Sequence, residues 1–268
     1  DLIAQAQSGT GKTGCFTVGA IELTDASKRT LQIVILSPTR ELAVQSHSVL
    51  CSLSKFTNIR TSLVIGGTST SQCIRELEST CPHIIVGTPG RVFDMLNKRV
   101  IDPRGLKTII IDEADEMLSM GFARELEDIM EYVPDKRQTL LFSATIPPDI
   151  KRYAKRYMNE PEYLSLIEEN VASDDVSHKY FMVSGVGRVR DLLKVIEYEN
   201  PESAIIFSNT RKETEQVAKF LKKHDLDVEY LNSDLSQRDR ERVMSKMKTK
   251  KEALEDRLRS PLTPPAAS

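Results

Sequence analysis

The stretch Ala6-Gln7-Ser8-Gly9-Thr10-Gly11-Lys12-Thr13, entered from the apolar run Asp1-Leu2-Ile3-Ala4, constrains the chain more than any other. A short buried strand, a glycine-spaced turn and Gly-Lys-Thr opening a helix is how a backbone cradles a triphosphate. Glycines let N–H groups approach phosphate oxygens, and the helix N-terminus adds partial positive charge. In such a loop Lys12 brings a mobile charge to the outer phosphates, and the Thr13 hydroxyl is placed to hold Mg²⁺. The usual G-x-x-x-x-G-K-[ST] pattern begins with Gly, where this chain has Ala6. The plain alternative is a loop that merely contains two glycines.

Through the first 165 residues, apolar runs bounded by turn residues alternate with segments of helical period. Strands are expected at Asp1–Ala6, Leu31–Leu36, Thr61–Ile65, His83–Val86, Thr108–Ile111 and Thr139–Phe142, and helices at Arg40–Lys55, Ser71–Ser79, Val92–Lys98 and Ala123–Tyr132. Several strands are continuous Ile/Val/Leu runs, as strands buried on both faces should be. This grammar specifies an α/β fold with a parallel sheet wrapped by helices, and it places ligands beyond the carboxyl ends of the strands.

After the polar stretch Glu168–Asp175 the same grammar resumes: strand His178–Val183, helix Val189–Tyr198, strand Ala204–Phe207, helix Glu213–Lys223, strand Val228–Leu231 and helix Gln237–Lys248. A second phosphate loop is lacking, and at about 75 residues this unit is small for a domain.

The chain of 268 residues carries a net charge of −2. A nucleic-acid surface must therefore be a local patch rather than the whole molecule. The cysteines (Cys15, Cys51, Cys73, Cys81) form no C-x-x-C pair, so reduced thiols are expected and zinc is not. No apolar run approaches the roughly 18 residues of a membrane span, so no membrane partner is expected.

Asp112 and Glu113 end the apolar strand Ile109-Ile110-Ile111. A phosphate-loop enzyme needs a carboxylate at the Asp112 position to hold Mg²⁺, and Glu113 is placed to orient an attacking water. An acidic solvated loop is the alternative for this stretch taken alone.

Asp112-Glu113-Ala114-Asp115 joins five further motifs in one order: Ala6–Thr13, Pro38-Thr39-Arg40-Glu41-Leu42-Ala43, Gly66-Gly67, Thr88-Pro89-Gly90-Arg91 and Ser143-Ala144-Thr145. With these the chain resembles the DEAD-box ATP-dependent RNA helicases up to about residue 248. Pro82–Leu96 and Asp112–Ser119 followed by Gly121-Phe122 look most like the translation-initiation subgroup and its exon-junction relative.

The resemblance implies a RecA-like ATP-binding lobe at 1–167, a linker at 168–177, a partial second RecA-like lobe at 178–248 and a disordered tail at 249–268. It implies ATP and Mg²⁺ as cofactors, with Lys12, Asp112, Glu113, Ser143 and Thr145 catalytic and Thr13 and Asp112 at the metal. Pro38, Thr39, Arg40, Gly66, Gly67, Thr88, Pro89, Gly90 and Arg91 would grip one RNA strand by its sugar-phosphate backbone, independent of sequence. In the second lobe Asn209, Thr210, Arg211, Gln237 and Arg240 would add RNA contacts, although Arg238, Arg240 and Arg242 also read as the solvated face of a helix. Leu231–Leu235 departs from the family's His-Gly-Asp.

The expected setting is intracellular, cytoplasmic in preference to nuclear, with protein partners of the translation-initiation or exon-junction type. The family's fifth and sixth motifs and its adenine-reading glutamine motif do not occur in the sequence. The expectation is a chain truncated at both ends that binds ATP and RNA but unwinds weakly or not at all, or else an inactive competitor of a full-length helicase.

Overall fold

The structure is a computed structural model describing residues 1–7, 9–166, 177, 179–183, 187–236, 238–247 and 249. The expected linker at 168–177, apart from residue 177, and the tail beyond 249 lie outside the described residues, as do Ser8, His178, Gln237 and Lys248. The chain divides into two units, Asp1–Ala172 and Ser173–Ser268.

The first unit contains strands β1 (Leu2–Gln5), β2 (Ile33–Leu36), β3 (Thr61–Val64), β4 (Ile84–Gly87), β5 (Thr108–Ile111), β6 (Gln138–Ser143) and β7 (Glu162–Ser165). They form one sheet in the order β3-β4-β2-β5-β6-β1-β7. Every pairing is parallel. Helices α1 (Lys12–Leu23), α2 (Arg40–Ser54), α3 (Thr70–Thr80), α4 (Pro89–Asn97), α5 (Ala114–Ser119), α6 (Ala123–Tyr132) and α7 (Pro148–Tyr157) connect them.

The continuous apolar runs are explained by two cores, one on each face of the sheet. Ile33, Ile35, Ile84, Val86 and Ile110 pack with Phe16 and Ala20 of α1 and with Ala43 and Leu50 of α2. Their neighbours Val34, Leu36, Ile85, Ile109 and Ile111 pack on the other side with Leu77, Met95, Leu126 and Ile129. Side chains alternate faces along a strand, so a strand covered on both faces must be apolar at every position. The same alternation carries Asp112, one residue beyond Ile111, toward the α1 face, where Lys12 opens the helix.

β5 and α6 have the expected bounds. Helix α4 begins at Pro89, earlier than the periodicity indicates, because a proline at the first helical position has its φ already set and no N–H to satisfy. α5, α7 and β7 were not legible: β7 is exposed at all its residues, so it has no apolar signature, and it is held on β1 by the backbone ladder and by bonds from Tyr163 and Ser165 to the Gln5 side chain.

In the second unit the helical expectations hold approximately, as α8 (Arg188–Glu199), α9 (Arg211–Lys222) and the helical residues 238–247. The strand expectations do not. The described part of His178–Val183, and all of Ala204–Phe207 and Val228–Leu231, join no ladder among the described residues. A strand exists only through its neighbours, and these runs pair with none among the described residues. Ile205 and Phe207 are 68% and 92% exposed, and the buried side chains among the described residues of this unit are Val217, Ala218 and Leu221, all on α9.

Candidate functional site

Because the sheet is parallel, all its strands deliver their carboxyl ends to one edge, and every first-unit motif lies there. Two neighbourhoods result, one beyond β1, β6 and β5 and the other beyond β2, β4 and β3.

In the first neighbourhood the loop between β1 and α1 carries Gly9 and Gly11 at φ +84° and +89°. Both sit in the left-handed region that favours glycine, and Gly11 leads directly into α1 with no side-chain cap. Ala6 has no positive φ and is buried, so a side chain is tolerated there. Its amide donates to Ser143 O at 3.0 Å, which ties the loop to β6. The Lys12 ammonium is buried and donates to Ala6 O at 3.0 Å, while lying 3.0 Å from Glu113 Oε1. Glu113 takes φ 48° and ψ 53°, a left-handed conformation costing about 1–2 kcal/mol for a non-glycine residue. That turn separates the β5 end from α5.

Asp112 is only 4% exposed. Burial, with Glu113 alongside, pushes its carboxyl up to about 7, against the attraction of Lys12. A buried carboxyl whose charge Lys12 only partly offsets, with the Thr13 hydroxyl in the first turn of α1, supplies the hard-oxygen donors that suit Mg²⁺.

Asp115, which the sequence reading included only as part of the acidic run, ties the acidic motif to Ser143-Ala144-Thr145. Its Oδ2 accepts from Thr145 N at 2.9 Å and from Thr145 Oγ1 at 2.6 Å, and its own N–H donates to Ser143 Oγ at 3.1 Å. Burial acts to raise the Asp115 pKa, but bonds from Thr145 and Ser143 outweigh it and hold the carboxyl below its ordinary value. The family resemblance implies hydrogen bonds between Ser143-Ala144-Thr145 and the acidic motif, and Asp115 is the residue that makes them.

In the second neighbourhood three helix N-termini stand together. Thr39 caps α2 by accepting from Leu42 N at 3.2 Å, Ser69 caps α3 by accepting from Gln72 N at 3.4 Å, and Thr88 precedes Pro89 of α4. The Arg40 guanidinium covers the glycine pair so closely that a Cβ on Gly67 would fall 2.1 Å from Arg40 Nη1. Thr88 Oγ1 accepts from Gly66 N at 3.4 Å, and Arg91 Nη2 donates to Thr68 O at 2.9 Å. Thr68, absent from the sequence-derived set, thus links the glycine pair to Arg91. Pro38 is buried behind Thr39, and Gly90 is exposed at the start of α4.

Residues 1–153 match the DEAD/DEAH box helicase family model. The chain belongs to that family. Residues 187–254 of this helicase chain match the helicase conserved C-terminal domain. The ATP-dependent RNA helicase CshA of Limosilactobacillus reuteri is 38% identical over 92% of this chain and 50% of its own length. Eukaryotic initiation factor 4A of Drosophila melanogaster is 37% identical over 93% of this chain and 62% of its own. This DEAD-box chain therefore spans between half and about three fifths of those relatives. Among solved structures, S. cerevisiae Dbp5 bound to RNA and ADP BeF3 aligns with a TM-score of 0.81 at 29% identity, covering 91% of this chain and 62% of that one. A DEAD box protein from the hyperthermophile Methanococcus jannaschii aligns at 0.60 with 32% identity, covering 94% and 67%. The fold is the RecA-like one of these helicases, with a partial second lobe.

In the second unit Asn209, Thr210 and Arg211 stand at the start of α9, which Thr210 caps by accepting from Glu213 N at 3.2 Å. Arg211 pairs with Asp234, and Arg240 Nη1 donates to Asn232 O at 3.1 Å. Both cations proposed for RNA meet the 232–234 loop, Arg211 in an exposed ion pair and Arg240 partly buried. Gln237 lies outside the described residues, as does Ser8 of the phosphate loop. The cysteines are free, and no helix among the described residues is long and apolar enough to cross a membrane.

Proposed function

We propose that the first unit binds Mg²⁺-ATP beyond β1, β5 and β6 and a single RNA strand beyond β2, β3 and β4, as one lobe of an ATP-dependent RNA helicase. The observation that carries this is Lys12, a buried ammonium held among the described residues by Ala6 O and Glu113, beside the buried Asp112. On nucleotide binding Lys12 exchanges those partners for phosphate oxygens, and Gly9 and Gly11 let the loop backbone approach them. Thr13 and Asp112 would hold Mg²⁺, which supplies charge neutralisation at the phosphates when bound. Glu113, freed from Lys12, is then placed to position the attacking water, and Asp115 with Thr145 and Ser143 senses the change and passes it to β6.

On the RNA side Thr39, Arg40, Gly66, Gly67 and Thr88 to Arg91 offer helix N-termini, close backbone approach and charge. None of these groups presents a base-reading pattern, so binding follows the backbone rather than the sequence. With Arg240 engaged by Asn232 O and Arg211 paired to Asp234 at the surface, the second unit adds little, and the chain binds both ligands weakly with little RNA-stimulated turnover. An inactive competitor of a full-length helicase is the second reading, favoured by the engagement of Arg240. Similarity to initiation factor 4A supports an intracellular, preferentially cytoplasmic setting and partners of the translation-initiation or exon-junction type.

Steady-state ATPase and nucleotide affinity, with and without RNA, test the reading. Measurable Mg²⁺-dependent ATP binding lost in Lys12→Ala, with low turnover, is the expected result. Brisk RNA-stimulated hydrolysis overturns the weak-turnover claim, and nucleotide binding indifferent to Lys12 overturns the site.

A further inference from the structure

The opposite edge of the same sheet carries a feature that neither the nucleotide nor the RNA reading uses. Loops entering β2, β5 and β6 enclose an open groove of about 600 Å³ lined by Lys28, Arg104, Lys107, Lys136 and Arg137 over Leu106 and Pro134. In a chain of net charge −2 this is a strong local concentration of cations. Strands of four residues put it about 13 Å from the phosphate loop edge.

The groove walls are fixed. Gln32 ties down the first loop, accepting from Asp25 N at 3.0 Å and donating to Asp25 O at 2.8 Å. Arg137 anchors the third, donating to Pro134 O at 2.9 Å and Tyr157 O at 3.1 Å. Nearby carboxylates neutralise part of the charge: Asp25 lies 3.4 Å from Lys28, and Asp102 pairs with Arg104 at 2.6 Å. Asp135 adds a more diffuse attraction on Arg137. Lys107 and Lys136 are exposed and have no ion pair among the described residues.

The floor decides the kind of ligand. The backbone donors beneath the cations are already used: Lys107 N and Thr108 N reach Gln32 O, Gln138 N reaches Lys107 O, Leu106 N reaches Pro103 O and Arg137 N reaches Asp135 O. Phosphate recognition by a nest of amides is therefore unsupported here. No aromatic side chain lines the groove, so stacked bases have no platform. What remains is an apolar floor beneath long cationic side chains, which complements an extended protein segment alternating acidic and apolar residues.

We propose that this groove is a docking site for an acidic, apolar-containing segment of a partner protein, with Lys107 and Lys136 as its principal contacts. The intact chain is titrated with a labelled short peptide of alternating Glu and Leu, its Lys-for-Glu counterpart, inorganic phosphate and a short oligouridylate, at low and moderate salt. The Glu–Leu peptide should bind saturably and more weakly as salt rises. The double variant Lys107→Glu/Lys136→Glu should weaken it by about tenfold or more, because rim charges set steering and salt dependence. The pair Lys107→Arg/Lys136→Arg should retain it, and oligouridylate affinity should be unchanged in both variants. Absence of saturable peptide binding, indifference to charge reversal, or equal binding of the Lys-containing peptide overturns the proposal. Oligouridylate binding that falls with the same charge reversal reassigns the groove to nucleic acid.

Discussion

Ile110 and Ile205 sit in closely similar surroundings of sequence, Ile-Ile-Ile in the first unit and Ala-Ile-Ile-Phe in the second, yet their environments are opposite. Ile110 is fully buried with residues of α1 and α2 on a strand paired on both sides, whereas Ile205 is 68% exposed with no partner strand among the described residues. β-propensity records fitness for a pleated, half-buried surface, and it becomes structure only when neighbours supply that surface. The first unit has seven described strands to do so. Among its described residues the second buries side chains only on α9, so its apolar runs stay open, and Arg211 and Arg240 meet the 232–234 loop.

The largest test of this contrast is the same substitution in both places. Ile110→Asp puts a carboxylate into a dry core and should cost more than about 4 kcal/mol, enough to unfold the first unit. Ile205→Asp should change stability by less than about 0.5 kcal/mol. Urea denaturation followed by circular dichroism measures both. A large loss in Ile205→Asp would mean that Ala204–Phe207 is paired in solution and that the contrast is wrong.

The contrast also explains what could be read in the sequence. β5 was legible to the residue because two-sided burial leaves an unbroken apolar word, and Gly9 and Gly11 were legible as a turn that lets the backbone approach phosphate. β7 was not legible, because its residues are all exposed and its bonds to Gln5 lie about 160 residues away in sequence. Glu113 was legible as an acid at a strand end, but its left-handed backbone and its bond to Lys12 were not, since neither is local in sequence. Thr68 escaped for the same reason, since it matters through Arg91, whereas the bonds from Ser143-Ala144-Thr145 to the acidic motif were implied by the family resemblance and fall on Asp115. The unpaired runs at 204–207 and 228–231 were misread because a strand-like word does not guarantee a neighbour.

A second test uses charge, and its effect is expected to be somewhat smaller. With its pKa pushed up from 3.8 to about 7, Asp112 binds its proton more tightly when folded than when unfolded. The folded state therefore loses stability as pH rises from about 4 to about 7 and levels off above. Each tenfold change in proton affinity is worth about 1.4 kcal/mol, so the span is at most about 4 kcal/mol. Between pH 5 and 8 carboxyls held low, such as Asp115 and Glu229, stay ionised, whereas His47 and His83, held below 6.5 by burial, act in the opposite sense and add stability as pH rises. Asp112→Asn should remove the falling component and leave the rising one, as urea midpoints of both proteins at pH 5 and pH 8 would reveal. The second unit has no comparably buried carboxylate among its described residues. A falling slope that survives Asp112→Asn would place its origin elsewhere.

Binding gives a third, smaller contrast. Lys12→Ala removes the one buried ammonium of the phosphate loop and should weaken nucleotide affinity by about 2 kcal/mol, on the scale of a lost charge-assisted hydrogen bond. Arg240→Ala should leave nucleotide affinity within about twofold, since its guanidinium is spent on Asn232 O. A fluorescent ATP analogue titrated into both variants reads the difference. Equal losses would bring Arg240 into the nucleotide site and end the separation of roles drawn between the units.

The smallest contrast holds chemistry constant and varies only the surroundings. Thr39 and Thr210 each cap a helix by accepting from the amide three residues on, at the same 3.2 Å. Removing either hydroxyl should cost about 1 kcal/mol of local helix stability. In Thr39→Ala that cost is shared with a helix whose Ala43, Ser46 and Leu50 are buried against the sheet, so it should appear as a small shift of the first unit's unfolding midpoint. In Thr210→Ala only α9 is affected, because no described strand stands beside it. Amide exchange should then quicken along α9 by about fivefold, the factor that corresponds to 1 kcal/mol, with α2 and β5 unchanged. Quickening that spreads to α8 would show that the two helices open together, and quickening that reached β5 would show that the two units unfold as one.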